Sequence, residues 1–165
     1  MSIYPIIKMG HPTLRKVASP VAPSDIDRSE MHTLVADMVE TLHDAGGIGL
    51  AAPQIGRPIQ LAIIEVPGGP GRYGEIEAVP LTVFFNPVLT VVDPAEAGYW
   101  EGCLSVPGLR GFVHRPQHVR VHYMDIAGEQ ASIDLKGFLA TVVQHEFDHL
   151  AGKLYVDHIR GMTQL

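Results

Sequence analysis

Residues 136–152 read KGFLATVVQHEFDHLAG, and the fold class turns on this stretch. It holds no proline and closes on Gly152, so residues 136–151 are expected to form a helix with a glycine stop. Directly upstream, residues 118–126 and 130–135 alternate in the manner of strands and are joined by Ala127-Gly128-Glu129, the pattern of a hairpin. A helix that arrives late, after strands, predicts an α+β fold in which antiparallel or mixed β-sheets pack around that central helix.

Further upstream, residues 59–66 form a short aliphatic run between Pro58 and Pro67, and 83–86, 88–92 and 99–104 are similar extended candidates. Residues 67–80, PGGPGRYGEIEAVP, hold four glycines and three prolines and read as a mobile surface loop. One further helix is expected near the N-terminus, over residues 27–45. Its stripe of Met31, Leu34, Val35, Met38, Val39 and Leu42 follows the helical period, and Gly46-Gly47 would stop it. Before it, Pro5, Pro12, Pro20 and Pro23 suggest an irregular arm, and after Gly152 a short extended tail is expected.

The chain has 165 residues, so residues 1–165 are read as a single compact domain. Twelve basic against eighteen acidic side chains give a net charge of −6, which argues against binding nucleic acid through phosphate neutralisation. The lone Cys103 cannot form an internal disulfide. The most apolar stretch, residues 81–92, contains Asn86 and Pro87, so no membrane span is expected. The N-terminus lacks the continuous apolar region of a signal peptide, so a cytoplasmic location is expected, and neither secretion nor a retained transit peptide.

Within the predicted helix stands HExxH: His145, Glu146 and His149. At about 100° per residue, positions i and i+4 differ by about 40°, so both imidazoles leave the same face one turn apart, where they can share a metal ion. With nine histidines and nine glutamates, chance alone gives this pattern in roughly 3% of such chains, so a metal-binding helix is the better reading. Two other pairs share the spacing. His114 and His118 flank Pro116, and His118 and His122 lie in a predicted strand, where four residues span about 13 Å; neither pair should chelate. His11, His32, His43 and His158 read as surface or capping residues.

Two histidines leave a catalytic site short of a ligand, since such sites usually have three protein ligands and one open position. Too little chain follows His149 for an extended metalloprotease motif. Upstream, Glu101-Gly102-Cys103-Leu104-Ser105 offers a thiolate, although a lone cysteine is more often a small buried hydrophobe. Residues 47–54, GIGLAAPQ, fail as a phosphate loop because they lack a third glycine at the required spacing and any GK[ST]. Their small side chains permit close backbone approach, and Gln54 reads either as a structural amide or as a donor to whatever lies there.

GIGLAAPQ, EGCLS and QHEFDH, in this order, resemble the three motifs of the peptide deformylase family, and the match spans residues 47–150. The resemblance implies that Cys103, His145 and His149 are metal ligands, that Glu146 is the acid/base, and that Gln54 and the backbone N–H of Leu104 are oxyanion donors. It implies removal of the formyl group from N-formylmethionyl peptides with release of formate. It implies one divalent ion, Fe(II) natively, with Zn(II), Ni(II) or Co(II) able to substitute. It also implies a methionine pocket, for which Ile48, Gly49, Phe138 and Val142 are the candidates; ordinary core packing would equally account for the apolar ones. Glu101 is a candidate partner of Arg115, with plain surface charge as the alternative. Many bacterial relatives carry a longer basic C-terminal helix thought to dock on the ribosome. The resemblance therefore implies a transient ribosome association, against which the short end of this chain, GMTQL, counts.

Two other readings make different demands. A small HExxH endopeptidase would take a third His, Asp or Glu ligand downstream and would survive loss of Cys103. A non-catalytic metal-binding protein would close the site with a fourth protein ligand and leave Glu146 without a use.

Overall fold

The computed structural model describes residues 1–165. Its elements are α1 (Pro23–Ile26), α2 (Ser29–Ala45), β1 (Gly49–Ala51), β2 (Leu61–Val66), β3 (Gly69–Gly71), β4 (Gly74–Ile76), β5 (Val79–Cys103), β6 (Val106–Met124), β7 (Gln130–Lys136) and α3 (Phe138–Leu150). Five strands pair in the order β1-β2-β5-β6-β7, every neighbour antiparallel, and β3 and β4 form a separate hairpin.

Strand β2 explains how the two large helices sit. Side chains alternate across a sheet, so Leu61 and Ile63 face α2 and join Leu34, Val35, Met38, Leu42 and Phe85. Ile64 and Val66 face the other way, into a second cluster with Phe84, Val119, Val121, Leu135, Leu139 and Val143. Both faces are covered, which is why LAIIEV reads as a nearly unbroken apolar run. The helix α2 starts two residues later than its stripe suggests, because Pro23–Ile26 form a short turn of their own with Asp27 as its cap. It stops as expected, with Gly46 left-handed at φ 67°.

The sheet departs from the sequence reading in its lengths. Three expected segments are one strand, β5, of 25 residues, because Asn86-Pro87 and Asp93-Pro94 bend it through register shifts without ending it. Asn86 alone among non-glycines has positive φ, 49°, and its amide brackets the Val21 backbone on both sides, accepting from the N–H at 2.8 Å and donating to the carbonyl at 2.7 Å. Residues 67–80 contain the β3–β4 hairpin rather than a plain loop, with Tyr73 packed edge-on against Tyr99, centroids 4.9 Å apart. The tail after Gly152 is wound into two 3-10 turns instead of running extended. Lys136 belongs to β7, so α3 begins at Phe138 after Gly137, whose φ of 60° makes the corner.

Candidate metal and catalytic site

Burial of Leu139, Ala140, Val142 and Val143 against the sheet turns the next helical face of α3 inward, carrying His145, Glu146 and His149. The imidazole centroids of His145 and His149 stand 5.3 Å apart. Opposite them, β5 ends at Cys103, which pairs with Val106 across a two-residue turn of Leu104 and Ser105. The Cys103 sulfur lies 3.5 Å from His149 Nε2, and one ligand atom from each of Cys103, His145 and His149 fits within 4.8 Å of the other two. Helix and hairpin thus bring together three side chains that lie up to 46 residues apart in the chain.

Behind His145 runs a buried polar chain. The His145 Nδ1–H donates to Glu101 at 2.8 Å. Arg115 holds Glu101 with two hydrogen bonds, 2.8 and 3.0 Å, and reaches Asp148 with a third at 2.8 Å. His158 meets the same Asp148 oxygen at 2.8 Å. Arg115 and Glu101 side chains are each 5% exposed, so both charges are desolvated and each needs the other. Burial would raise the Glu101 carboxyl, but the hydrogen bonds from His145 and Arg115 outweigh it and hold the group below its usual range.

The same contacts fit a divalent metal. With Nδ1 committed to Glu101, His145 turns Nε2 toward Cys103. Burial alone would lower this imidazole, yet hydrogen bonds to Cys103 and Glu101 and the Glu146 charge raise it to about 10, so a metal ion at this position would displace a proton. Burial, together with the His145 and Arg115 charges, pushes His149 well below the ordinary histidine range, which keeps it neutral as a ligand must be. A soft sulfur donor with two imidazoles suits Zn(II), Fe(II), Co(II) or Ni(II).

Glu146 is 5% exposed, and its Oε2 has no partner. Burial is the main cause that raises its carboxyl to about 7. Gly49 makes its space, because a Cβ there would stand 2.5 Å from Glu146 Oε1. Gln54 is 1% exposed; its Oε1 accepts from the Ala51 N–H at 2.9 Å, and its Nε2 donates to Ser105 Oγ at 3.1 Å and faces the Cys103 sulfur at 3.6 Å. Cys103, His145, Glu146 and Glu101 open onto a cleft of about 940 Å³ whose lining also includes Ile48, Gly49, Gln54, Leu104, Phe138 and Val142.

Sequence reasoning missed several contributors. Tyr155 stacks on His145 at 6.0 Å and 21°, and no spacing pattern pointed to it. Ser105 anchors Gln54. Asp148, at i+3 from His145, was a detectable companion of Arg115, whereas the approach of His158 depends on how the tail folds back.

A family model described as polypeptide deformylase matches residues 3–164. Peptide deformylase 2 of Pseudomonas syringae pv. tomato is 49% identical over 159 residues, covering 96% of this chain and 88% of its own length. Peptide deformylase 1 of Bordetella pertussis is 47% identical over 162 residues, covering 98% and 90% respectively. The crystal structure of a class I type b peptide deformylase from Acinetobacter baumannii with Met-Ala-Ser bound superposes with a TM-score of 0.89 at 33% identity, covering 96% of this chain and 100% of that one. A match along nearly the whole length, to a family model and to relatives of almost half identity, leaves one conclusion: the chain belongs to the polypeptide deformylase family.

Proposed function

We propose that Cys103, His145 and His149 hold one divalent ion, that Glu146 moves the proton, and that Gln54 and the Leu104 N–H receive the charge that develops on the formyl oxygen. The chain is a metal-dependent hydrolase that removes the N-terminal formyl group of nascent polypeptides. The observation that carries the assignment is the convergence of three ligand atoms beside an unpartnered, buried Glu146 oxygen.

The ion, when bound, supplies a Lewis acid that polarises the formyl carbonyl and acidifies water. Glu146 accepts the proton of the attacking water and returns it to the amine nitrogen as the C–N bond breaks, so that formate and a free N-terminus leave. One Gln54 N–H stays on Ser105, while the other exchanges its weak sulfur contact for the substrate oxygen as that atom gains charge. Glu101 fixes the His145 tautomer, and Arg115 with Asp148 fixes Glu101. Ile48, Phe138 and Val142 offer an apolar wall to the methionine side chain, with Gly49 keeping the floor low.

Fe(II) is the native ion in this reading, replaceable by Ni(II), Co(II) or Zn(II), and residues 1–165 act as one catalytic domain on N-formylmethionyl chains in the bacterial cytoplasm. No helix is long and apolar enough to cross a membrane. The test is formate release from a short formyl-Met peptide by protein loaded anaerobically with Fe(II) or aerobically with Ni(II). Activity with both, and faster loss of the Fe(II) form in air through oxidation of the ion and its thiolate, is expected. No formate from either, or full activity of Cys103→Ala, would overturn the assignment.

A further inference from the structure

Outside the cleft, the N-terminal arm makes contacts that neither the metal nor the methionine pocket explains. Its residues 7, 8 and 9 reach both halves of the oxyanion site in succession. The Ile7 N–H donates to the Gln54 carbonyl at 2.8 Å, Lys8 Nζ to the Leu104 carbonyl at 2.9 Å, and the Met9 N–H to the Ser105 carbonyl at 2.8 Å. The arm is itself tied to α2, where the Ser2 N–H meets Asp37 at 2.7 Å and the Tyr4 N–H meets Thr41 at 2.9 Å.

The turn needs these partners. Cys103 and Val106 close the hairpin, and the carbonyls of Leu104 and Ser105 take no part in the β5–β6 ladder. Ser105 is fully buried, so an unmatched carbonyl there would be costly. The Leu104 carbonyl faces a cation, and hydrogen bonds from ammonium groups are stronger than neutral ones. Fixing that carbonyl fixes the plane between Leu104 and Ser105. The Leu104 N–H lies in the preceding peptide plane, which joins the held one at Leu104 Cα, so anchoring the carbonyl narrows the rotation open to that N–H.

We propose that Lys8 is a positioning residue for the reaction: by holding the Leu104 carbonyl from outside the cleft, it aims the Leu104 N–H at the developing oxyanion, while Ile7 and Met9 keep the Gln54 and Ser105 segments in register with it. The proposal rests on the oxyanion roles assigned to Gln54 and Leu104. Lys8 is exposed and does not line the cleft, so it acts through the turn and never touches substrate. Loose aim costs rate rather than binding, and a displacement of about 1 Å can cost up to about 10²-fold.

The test compares wild type, Lys8→Met and Lys8→Arg as Ni(II)-loaded enzymes on a formyl-Met tripeptide, each also in a Gln54→Ala background. Lys8→Met is expected to lose about 5- to 20-fold in kcat with KM within about twofold, and Lys8→Arg to recover most of it. Amide hydrogen exchange at residues 103–106 should quicken in Lys8→Met alone. In the Gln54→Ala background the Lys8→Met penalty should shrink, since both residues serve the same charge. A kcat within twofold of wild type, a penalty undiminished without Gln54, a rise confined to KM, or loss of metal or folding in Lys8→Met would each overturn the proposal. Absence of formate release by wild type would instead overturn the assignment on which it rests.

Discussion

Helix α3 and strand β6 each carry histidines four residues apart, and only the helix brings a pair together with a third side chain that could hold a metal ion. His145 and His149 lie one turn apart facing Cys103. On β6, His114, His118 and His122 are strung along an extended backbone, and their rings find separate neighbours: His114 stands edge-on to Phe112 at 5.2 Å, and His118 reaches Asp134 at 3.2 Å. Identical spacing therefore has opposite meanings under a rise of about 1.5 Å and one of about 3.3 Å per residue. The surroundings differ as well. The helical pair is buried and His145 leans on the buried Glu101–Arg115 pair, whereas Asp134, His118 and Arg120 sit at the surface.

The contrast is broken most directly by metal analysis. His149→Ala or Cys103→Ala should lose the ion and reduce formate release to background, while the double variant His118→Ala/His122→Ala should keep both the ion and the rate. Metal loss in the strand variant would end the distinction. Next comes Glu146→Gln, which should retain the ion and substrate affinity but lose about 10²- to 10⁴-fold in turnover. Full metallation with turnover within a fewfold of wild type would remove Glu146 from proton transfer.

A third expectation concerns the buried chain behind the ligands. Arg115→Met leaves the Glu101 and Asp148 charges facing each other without a cation and should cost on the order of 3–5 kcal/mol in denaturant unfolding, with metal binding weakened about 10- to 100-fold. Loss below 1 kcal/mol with unchanged metal affinity would show that the chain is ornamental. The smallest effect lies on the strand. The hydrogen bond from Arg120 is the main cause that draws Asp134 down to about 2. A carboxyl lowered in the folded state adds stability above its unfolded pKa of about 3.9, and that stability fades as pH falls toward 2. Asp134→Asn should therefore melt slightly earlier than wild type at pH 7, the gap closing between pH 4 and 2. A gap that widens on acidification would contradict the sign.

The catalytic helix was legible because its signal is local: spacing, a glycine stop and hairpin strands before it all act within a few turns of chain. Cys103 was different. Nothing in its own neighbourhood separates a ligand from a buried hydrophobe, and only the joint order of three motifs did so. The long strand β5 was obscured by Asn86-Pro87 and Asp93-Pro94, and β6 by Pro107 and Pro116, which break the alternation while the ladder continues past them. The β3–β4 hairpin hid in a glycine- and proline-rich segment because its anchor, Tyr73, gains its meaning only from Tyr99 across the fold. The Lys8 and His158 contacts are longer-range still, and depend on where the arm and tail come to rest.

The 46 residues between Cys103 and His149 also set a timetable for biosynthesis. At about 5–20 residues per second, the thiol is made roughly 2–9 s before the second imidazole that shares its site. Until then Cys103 has neither imidazole beside it. With the three groups holding one ion as proposed, its loading follows closure of α3 onto the hairpin, so an enzyme that trims newborn chains becomes competent only after its own late helix has folded.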